Sequence, residues 1–195
     1  MAKVSAILLG AGLSRRMGAQ NKMALPYKGK PMMRHVHDQI KESLAFELII
    51  VTSEHSQKLL DDIPVVLNEH YQRGMTSSIQ AGVRSCSYIA DGYMICLGDQ
   101  PLIRPTEYNQ IISHFSKHFP DDPKAIVIPT HKGIKGNPVI LSTWYREAIL
   151  QHEEPEGCKG IVKAHQQHVY RVELSTDGIL NDVDRPEDYE KLISN

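Results

Sequence analysis

The stretch VSAILLGAGLSRRMGAQNK, residues 4–22, decides the expected fold because it joins a short apolar run to a glycine-containing turn. The run is short, apolar and ended by glycine, which predicts a buried β-strand. Gly10 and Gly12 follow with one residue between them, and without side chains they let the backbone bend sharply and approach a ligand. This is how the dinucleotide-binding turn of an α/β sheet begins.

The turn then departs from the known phosphate-binding motifs. Arg15 stands where a dinucleotide-binding fingerprint has its third glycine, and no Gly-Lys-Ser/Thr follows as in a P-loop. Instead Arg16, Gly18 and Lys22 come next. Arginine binds phosphate through a planar fork and lysine through a movable point charge. A surface turn with solvated basic residues is the plain alternative, but this grouping favours binding of a triphosphate.

Beyond this turn, strand-like and helix-like segments alternate. Strands are predicted at ELIIVT, PVVLN, YMICLG and KAIVIPT, and helices at PMMRHVHDQIKESL, SEHSQKLLDD, TSSIQAGVRSCSYI and PTEYNQIISHFSKHF. After Gly133 the rhythm loosens, with strands predicted at GNPVIL and HVYRVEL and helices at TWYREAILQH and RPEDYEKLI. The alternation predicts an α/β fold: a mostly parallel, Rossmann-like sheet with helices on both faces, built as one domain over residues 1–195.

Composition limits the partners and the compartment. The chain has 195 residues, 41% of them hydrophobic and 23% charged, with a net charge of -1, so neither a broad nucleic-acid surface nor a membrane partner is expected. Its first residues lead directly into a strand, and no apolar stretch approaches the length of a membrane helix. Three cysteines without a CxxC pair predict no disulfide framework and favour the cytoplasm.

Acidic residues follow two further segments. Asp99 comes directly after the apolar strand of YMICLG, where a carboxylate could hold Mg²⁺ against substrate phosphates; a turn or cap aspartate is the alternative. Asp182 and Asp184 alternate in NDVDRPED, so in an extended segment both side chains leave on one face, and one of them could complete that metal site. The alternative for this stretch is capping of the helix that Pro186 begins.

These motifs resemble those of the MobA-like nucleotidyltransferases. The family signature L-x-x-G-x-S-x-R-M-G-x-x-x-K is present as Leu9, Gly12, Ser14, Arg16, Met17, Gly18 and Lys22. The later landmarks follow in the family's order: GMTSSIQAG at 74–82, GDQPLI at 98–103, GNPVIL at 136–141 and DVDRPEDY at 182–189. The resemblance spans nearly the whole chain and is most specific for molybdenum cofactor cytidylyltransferases, which join CMP from CTP to molybdopterin.

The resemblance implies a role for individual residues. Nucleotide contacts are implied for Leu9, Gly10, Ala11, Gly12, Ser14, Arg16, Lys22, Ser78 and Gly82. Arg16, Lys22 and Asp99 are the implied catalytic residues, with Arg16 on the triphosphate and Lys22 at the α-phosphate. Asp99 and Asp184 would hold Mg²⁺, and Asp182 would support them. The nucleotide-binding part is expected at about 1–130 and the acceptor-binding part at about 131–195.

The nucleotide, acceptor and partners are likewise implied by the family. Guanylyl-transferring relatives commonly have two adjacent glycines in the first loop, so Gly10-Ala11-Gly12 favours CTP. Asn137 lies on the acceptor side, where many cofactor enzymes have histidine; it keeps hydrogen-bonding capacity but cannot titrate. A molybdoenzyme such as xanthine dehydrogenase is the implied recipient. The alternatives are a non-catalytic cofactor-binding accessory protein and a nucleotidyltransferase for a sugar or polyol phosphate.

Overall fold

A computed structural model describes residues 1–12, 17, 21–60 and 62–194. Its strands are β1 (Val4–Leu9), β2 (Pro26–Tyr27), β3 (Lys30–Pro31), β4 (Glu47–Thr52), β5 (Val66–Leu67), β6 (Gly92–Leu97), β7 (Ile126–His131), β8 (Ile134–Lys135), β9 (Val139–Ser142) and β10 (Val169–Glu173). Its helices are α1 (Met32–Lys41), α2 (Glu54–Gln57), α3 (Met75–Ser85), α4 (Pro105–His118), α5 (Arg146–Leu150), α6 (Lys159–Ala164) and α7 (Pro186–Ser194). The predicted α/β class is confirmed.

The central sheet is mostly parallel, as predicted. Its strand order is β10-β7-β9-β6-β1-β4-β5, and β8 extends it as an antiparallel partner of β7. Strands β1, β4, β5 and β6 run parallel to one another, whereas β9 runs antiparallel between β6 and β7. The parallel strands β1 and β6 therefore end at the same edge, where ligands of such sheets gather.

Helices cover both faces of the sheet because side chains along each strand alternate between faces. On β1, Ala6 and Leu8 belong to one buried cluster, which includes side chains of α1 and α4. Ile7 and Leu9 belong to a second cluster with side chains of α3, α5 and α6. Two apolar cores thus hold β1 in the middle of the sheet, which places its carboxyl end firmly.

Helix α3 ends earlier than the predicted helix, which ran on to residue 89. Cys86 has an extended conformation, and the N–H of Ser87 donates to Oε1 of Glu47 at 2.8 Å. The Glu47 carboxylate thus takes the N–H that would bind the carbonyl of Val83 if the helix continued. The predicted helix SEHSQKLLDD is also shorter: α2 spans four residues, and Ser53, which directly precedes it, makes no side-chain capping bond.

None of the described helices has the length and apolar character needed to cross a bilayer. The cysteines Cys86, Cys96 and Cys158 are free thiols.

Burial raises the pKa of Cys86 and of Cys158 to about 12. At pH 8 their reactive thiolate fraction falls roughly a thousandfold below that of an ordinary cysteine. We therefore expect iodoacetamide to modify the native protein slowly and all three thiols quickly in 6 M guanidinium chloride, as followed by mass spectrometry. Modification of either residue at the denatured rate in the native protein would contradict this.

Candidate functional site

The carboxyl ends of β1 and β6 border a cavity of about 340 Å³. The two strand ends are tied together by the N–H of Gly98, which donates to the carbonyl of Leu9 at 3.0 Å. Six residues with sequence-predicted roles line the cavity: Leu9, Ala11, Gly12, Lys22, Ser78 and Asp99. The structure therefore brings together residues from three motifs that are far apart in the chain.

The two glycines of the first loop have different surroundings. A Cβ at Gly10 would clash with the side chain of Met33 on α1, and the Gly10 N–H donates to the carbonyl of Val51 at 2.8 Å. A Cβ at Gly12 would have open space around it. Gly10 thus allows close packing of α1 on the strand end, whereas Gly12 lies at the cavity. The predicted residues Ser14 and Arg16 lie outside the described part of the chain.

Lys22 is held at the cavity by a short 3₁₀ turn, Lys22–Ala24. Asn21 stabilises this turn because its Oδ1 accepts from the N–H of Met23 at 3.0 Å, and the Met23 side chain is buried in the core. Lys22 itself is only 9% exposed. A lysine so buried requires negative partners, since an isolated charge away from water is costly.

Two carboxylates supply those partners. The Lys22 Nζ donates to Oδ2 of Asp99 and, at 2.8 Å, to Oδ1 of Asp184. Burial by itself lowers the pKa of Lys22, but the attraction and hydrogen bonds of both aspartates outweigh it, so the pKa lies above its usual value. Lys22 therefore stays charged in the folded protein and presents a fixed cation to the cavity.

Asp99 is buried directly after β6. It is 7% exposed, and its backbone carbonyl accepts from the N–H of Val183 at 3.0 Å, which joins the C-terminal segment to this edge of the sheet. Its Oδ1 is buried and has no hydrogen-bond partner among the described residues. An unpartnered carboxylate oxygen costs free energy in the folded state, which a bound ligand or cation would offset.

In the C-terminal motif, one aspartate caps helix α7 and another pairs with Lys22. Asp188 makes the bonds of a cap, since its Oδ2 accepts from the N–H groups of Asp184 and Arg185 at 3.2 and 2.9 Å. The Asp184 carboxylate pairs with Lys22. Loss of solvation, with Asp184 and Asp99 nearby, raises the pKa of Asp182. All three predicted acids thus lie in one electrostatic cluster.

This donor set fits a magnesium ion that is held partly by its substrate. The described residues contain no group of three or more His, Cys, Asp or Glu side chains arranged to hold a metal. Mg²⁺ commonly takes only one or two carboxylates and completes its shell with water and substrate phosphates. The buried, unpartnered Oδ1 of Asp99 is an oxygen of the required type. Asp184 supplies a second carboxylate nearby, because both aspartates accept from the same Lys22 ammonium group.

Gly82, a predicted nucleotide contact, does not line the cavity. It is buried in α3, where a Cβ would overlap Cγ2 of Ile7 on β1 and lie 3.2 Å from Cγ2 of Val51 on β4. The structure therefore accounts for this glycine by the close packing of α3 on the sheet, a contact that sequence spacing alone does not reveal.

Gly82→Ala is expected to destabilise the fold by about 2 kcal/mol. Overpacking of a tight core costs up to about 3 kcal/mol, and the better helix propensity of alanine returns about 1 kcal/mol. Urea unfolding followed by circular dichroism measures the difference. Ser85→Ala, at an exposed position of the same helix, should change stability by less than about 0.5 kcal/mol. Equal unfolding midpoints for the two variants would contradict the packing role.

Asn137, the predicted acceptor contact, lies away from the cavity lining. It directly precedes the buried Pro138 and β9, and its N–H donates to the carbonyl of Ile179 at 3.2 Å. Its role toward an acceptor stays a prediction.

Sequence reasoning missed several cavity residues in the segment from the end of β5 to the first residue of α3: Tyr71, Gln72, Gly74 and Met75. Gly74 has φ +98°, and a Cβ there would lie 2.7 Å from the carbonyl oxygen of Pro155, so the turn into α3 requires glycine. Gly74 opens the GMTSSIQAG landmark, which was the available signal. A larger groove of about 800 Å³ is lined by other α3 residues, including Ser77 and Gln80, and by none of the predicted site residues.

A protein-family model matches most of the chain. The model of the MobA-like NTP transferase domain matches residues 6–169. The chain belongs to this family. It is therefore a member of a nucleotidyltransferase family, and the first loop, Lys22 and Asp99 all lie within the matched residues.

Similar proteins cover the chain almost completely. The purine catabolism protein PucB of Bacillus subtilis is 26% identical over 95% of this chain and 94% of its own. The molybdenum cofactor cytidylyltransferase of Escherichia coli is 26% identical over 97% of this chain and 95% of its own. Among solved structures, Rv0371c of Mycobacterium tuberculosis has a TM-score of 0.84 at 20% identity, covering 100% of this chain and 99% of that one. A second structure of Rv0371c, in complex with manganese, has a TM-score of 0.75 at 20% identity and covers 100% of both chains.

Proposed function

We propose that this protein transfers CMP from CTP to the terminal phosphate of molybdopterin or the molybdenum cofactor, with Mg²⁺, and releases pyrophosphate. The observation that carries the proposal is the buried Lys22, paired with Asp99 and Asp184 at the edge of a cavity that Gly12 and Ser78 also line. A fixed cation beside two carboxylates at this edge suits a reaction in which negative charge shifts along a triphosphate.

In this reaction an acceptor phosphate oxygen attacks the α-phosphorus in line, and the bond to the oxygen that bridges to the β-phosphate breaks. Lys22 stabilises the negative charge on the α-phosphate through its ammonium group. Asp99 and Asp184 hold that group in place, so that little reorganisation is needed when the phosphate arrives. Asp99 and Asp184 would hold Mg²⁺, which would supply further neutralisation of phosphate charge, and the manganese complex of Rv0371c supports a divalent cation.

The identities of the base and of the acceptor rest on similarity. The cytidylyltransferase of Escherichia coli is similar to this chain over nearly its whole length, and the loop Gly10-Ala11-Gly12 lacks the adjacent glycines of guanylyl-transferring relatives. Asn137 is proposed as an acceptor contact. The similarity to a purine catabolism protein favours a molybdoenzyme such as xanthine dehydrogenase as the recipient of the product. We propose that the reaction takes place in the cytoplasm.

One assay tests the proposal: purified protein with each of the four NTPs, Mg²⁺, and molybdopterin with and without molybdenum, with pyrophosphate as the readout. We expect pyrophosphate only when CTP, Mg²⁺ and acceptor are all present. Cofactor binding by calorimetry without turnover would instead indicate an accessory protein. Turnover only with a sugar phosphate or polyol phosphate would replace the acceptor.

A further inference from the structure

The side chain of Asn68, just after β5, is buried and bonded in a defined orientation. Its Oδ1 accepts from the backbone N–H of His70 at 2.9 Å. Because a backbone N–H can only donate, it identifies which end of the amide is the oxygen. The NH₂ end therefore faces α3, where it donates to Oγ of Ser77 and to Oγ of Ser78, each at 2.9 Å.

The two serines differ in what happens to their own hydrogen. The single hydroxyl hydrogen of Ser77 has two carbonyl acceptors, those of His70 and Gly74, each with its oxygen 2.9 Å from Oγ. For the hydroxyl hydrogen of Ser78, no acceptor is recorded within the part of the chain that the structure describes, although this residue is only 6% exposed. Ser78 lines the 340 Å³ cavity, whereas Ser77 lines the larger groove.

A serine hydroxyl has one hydrogen to donate and two lone pairs to accept. The bond from Asn68 occupies a lone pair and holds the oxygen, so the hydrogen is left for a partner in the cavity. A nearly buried hydroxyl without an acceptor is costly, and a ligand oxygen or unprotonated ring nitrogen would satisfy it.

We propose that Asn68 is a positioning residue that sets Ser78 as a hydrogen-bond donor to an acceptor atom of the bound nucleotide. This rests on the proposed function, since it requires that the cavity binds a nucleotide. Asn68 acts only through Ser78. It makes no contact with the nucleotide, and its amide keeps the hydroxyl from turning its hydrogen back toward β5.

A double-mutant cycle tests this with CTP and Mg²⁺ in isothermal titration calorimetry. Ser78→Ala is expected to raise the Kd for CTP about 5- to 10-fold, which lies within the range for one neutral hydrogen bond. Asn68→Asp replaces the NH₂ by an oxygen that accepts the hydroxyl hydrogen of Ser78, so the donor is lost while the side chain keeps its size. In the Asn68→Asp background, Ser78→Ala should therefore change the Kd less than twofold.

The cycle separates the coupling between Asn68 and Ser78 from the effect of the new negative charge of the aspartate. That charge is present both in Asn68→Asp and in the double variant, so it cancels when the two are compared. If Ser78→Ala costs the same factor in both backgrounds, the positioning role is overturned. Ser77→Ala is the matched control: it removes the other partner of the same amide, and it should change the Kd less than twofold.

Two further results keep the inference testable. If Asn68→Asp does not fold, a structure of the wild-type protein with bound nucleotide decides: Ser78 Oγ should lie within 3.2 Å of an acceptor atom of the nucleotide, a usual hydrogen-bond distance, with its bond from Asn68 retained. Absence of that contact overturns the inference. Failure of the wild-type protein to bind any of the four NTPs would overturn the proposed function itself, whereas tight binding with an additive cycle would overturn only the role of Asn68.

Discussion

Lys22→Met is expected to lower kcat for pyrophosphate release by about 10²- to 10³-fold. Methionine keeps most of the side-chain volume but removes the cation, and loss of one preorganised electrostatic group costs about 3–4 kcal/mol of transition-state stabilisation. The substitution also leaves Asp99 and Asp184 without the ammonium that pairs them. Steady-state kinetics with CTP, Mg²⁺ and acceptor measures the loss.

The control for this prediction is Lys135→Met, which removes an exposed lysine from the short strand β8. Its kcat should stay within twofold of the wild-type value. Removing one partner of a buried ion pair is itself destabilising by about 3–5 kcal/mol, so the thermal midpoint of Lys22→Met is measured in parallel and kinetics are run well below it. Near-normal turnover by folded Lys22→Met would remove Lys22 from the mechanism.

Asp99→Asn is expected to produce a loss of similar size. Asparagine has the same shape and can still accept from Lys22 through its oxygen, so the fold should persist. The substitution removes the negative charge that keeps Lys22 in place and replaces the buried, unpartnered Oδ1 by a neutral group. We expect kcat to fall about 10²- to 10³-fold, and more Mg²⁺ to be needed for half-maximal activity.

The acidic cluster predicts an order of effects. Asp184→Asn should cost less than Asp99→Asn because the Asp184 side chain is 31% exposed, against 11% for Asp99. Asp182→Asn should cost the least of the three because Asp182 is exposed. Asp121→Asn, an exposed aspartate that precedes β7, is the matched control and should leave kcat within twofold. A loss with Asp121→Asn equal to that of Asp99→Asn would contradict the assignment.

Most of the fold could be predicted from local sequence patterns. Strand β1 spans the predicted residues, and β4 and α4 agree with prediction to within one residue at either end. These segments have contiguous apolar runs or a clear helical period, which local chemistry determines. The end of α3 could not be predicted, because it depends on the carboxylate of Glu47, a residue on another strand.

The candidate site, like the fold, could be predicted from the sequence only in part. Residue type predicted Lys22 and Asp99, because phosphate chemistry calls for cations and metal-ligating oxygens, and motif order implied Asp184 and Ser78 through the resemblance to the family. They did not distinguish Gly12, which borders the cavity, from Gly10, whose missing side chain makes room for Met33. A glycine can allow either the approach of a ligand or the close packing of a helix, and only its neighbours in space show which role it has.

The sequence by itself determined the class of fold, the family and the chemical types gathered at the strand ends, since these follow from periodicity and from motifs of adjacent residues. Only the tertiary structure decided which groups meet. Lys22 and Asp184 are 162 positions apart and come together because the N–H of Val183 binds the carbonyl of Asp99. The orientation of Ser78 by Asn68 is of the same kind, because a hydrogen bond depends on distance and direction in space, which the order of residues does not state.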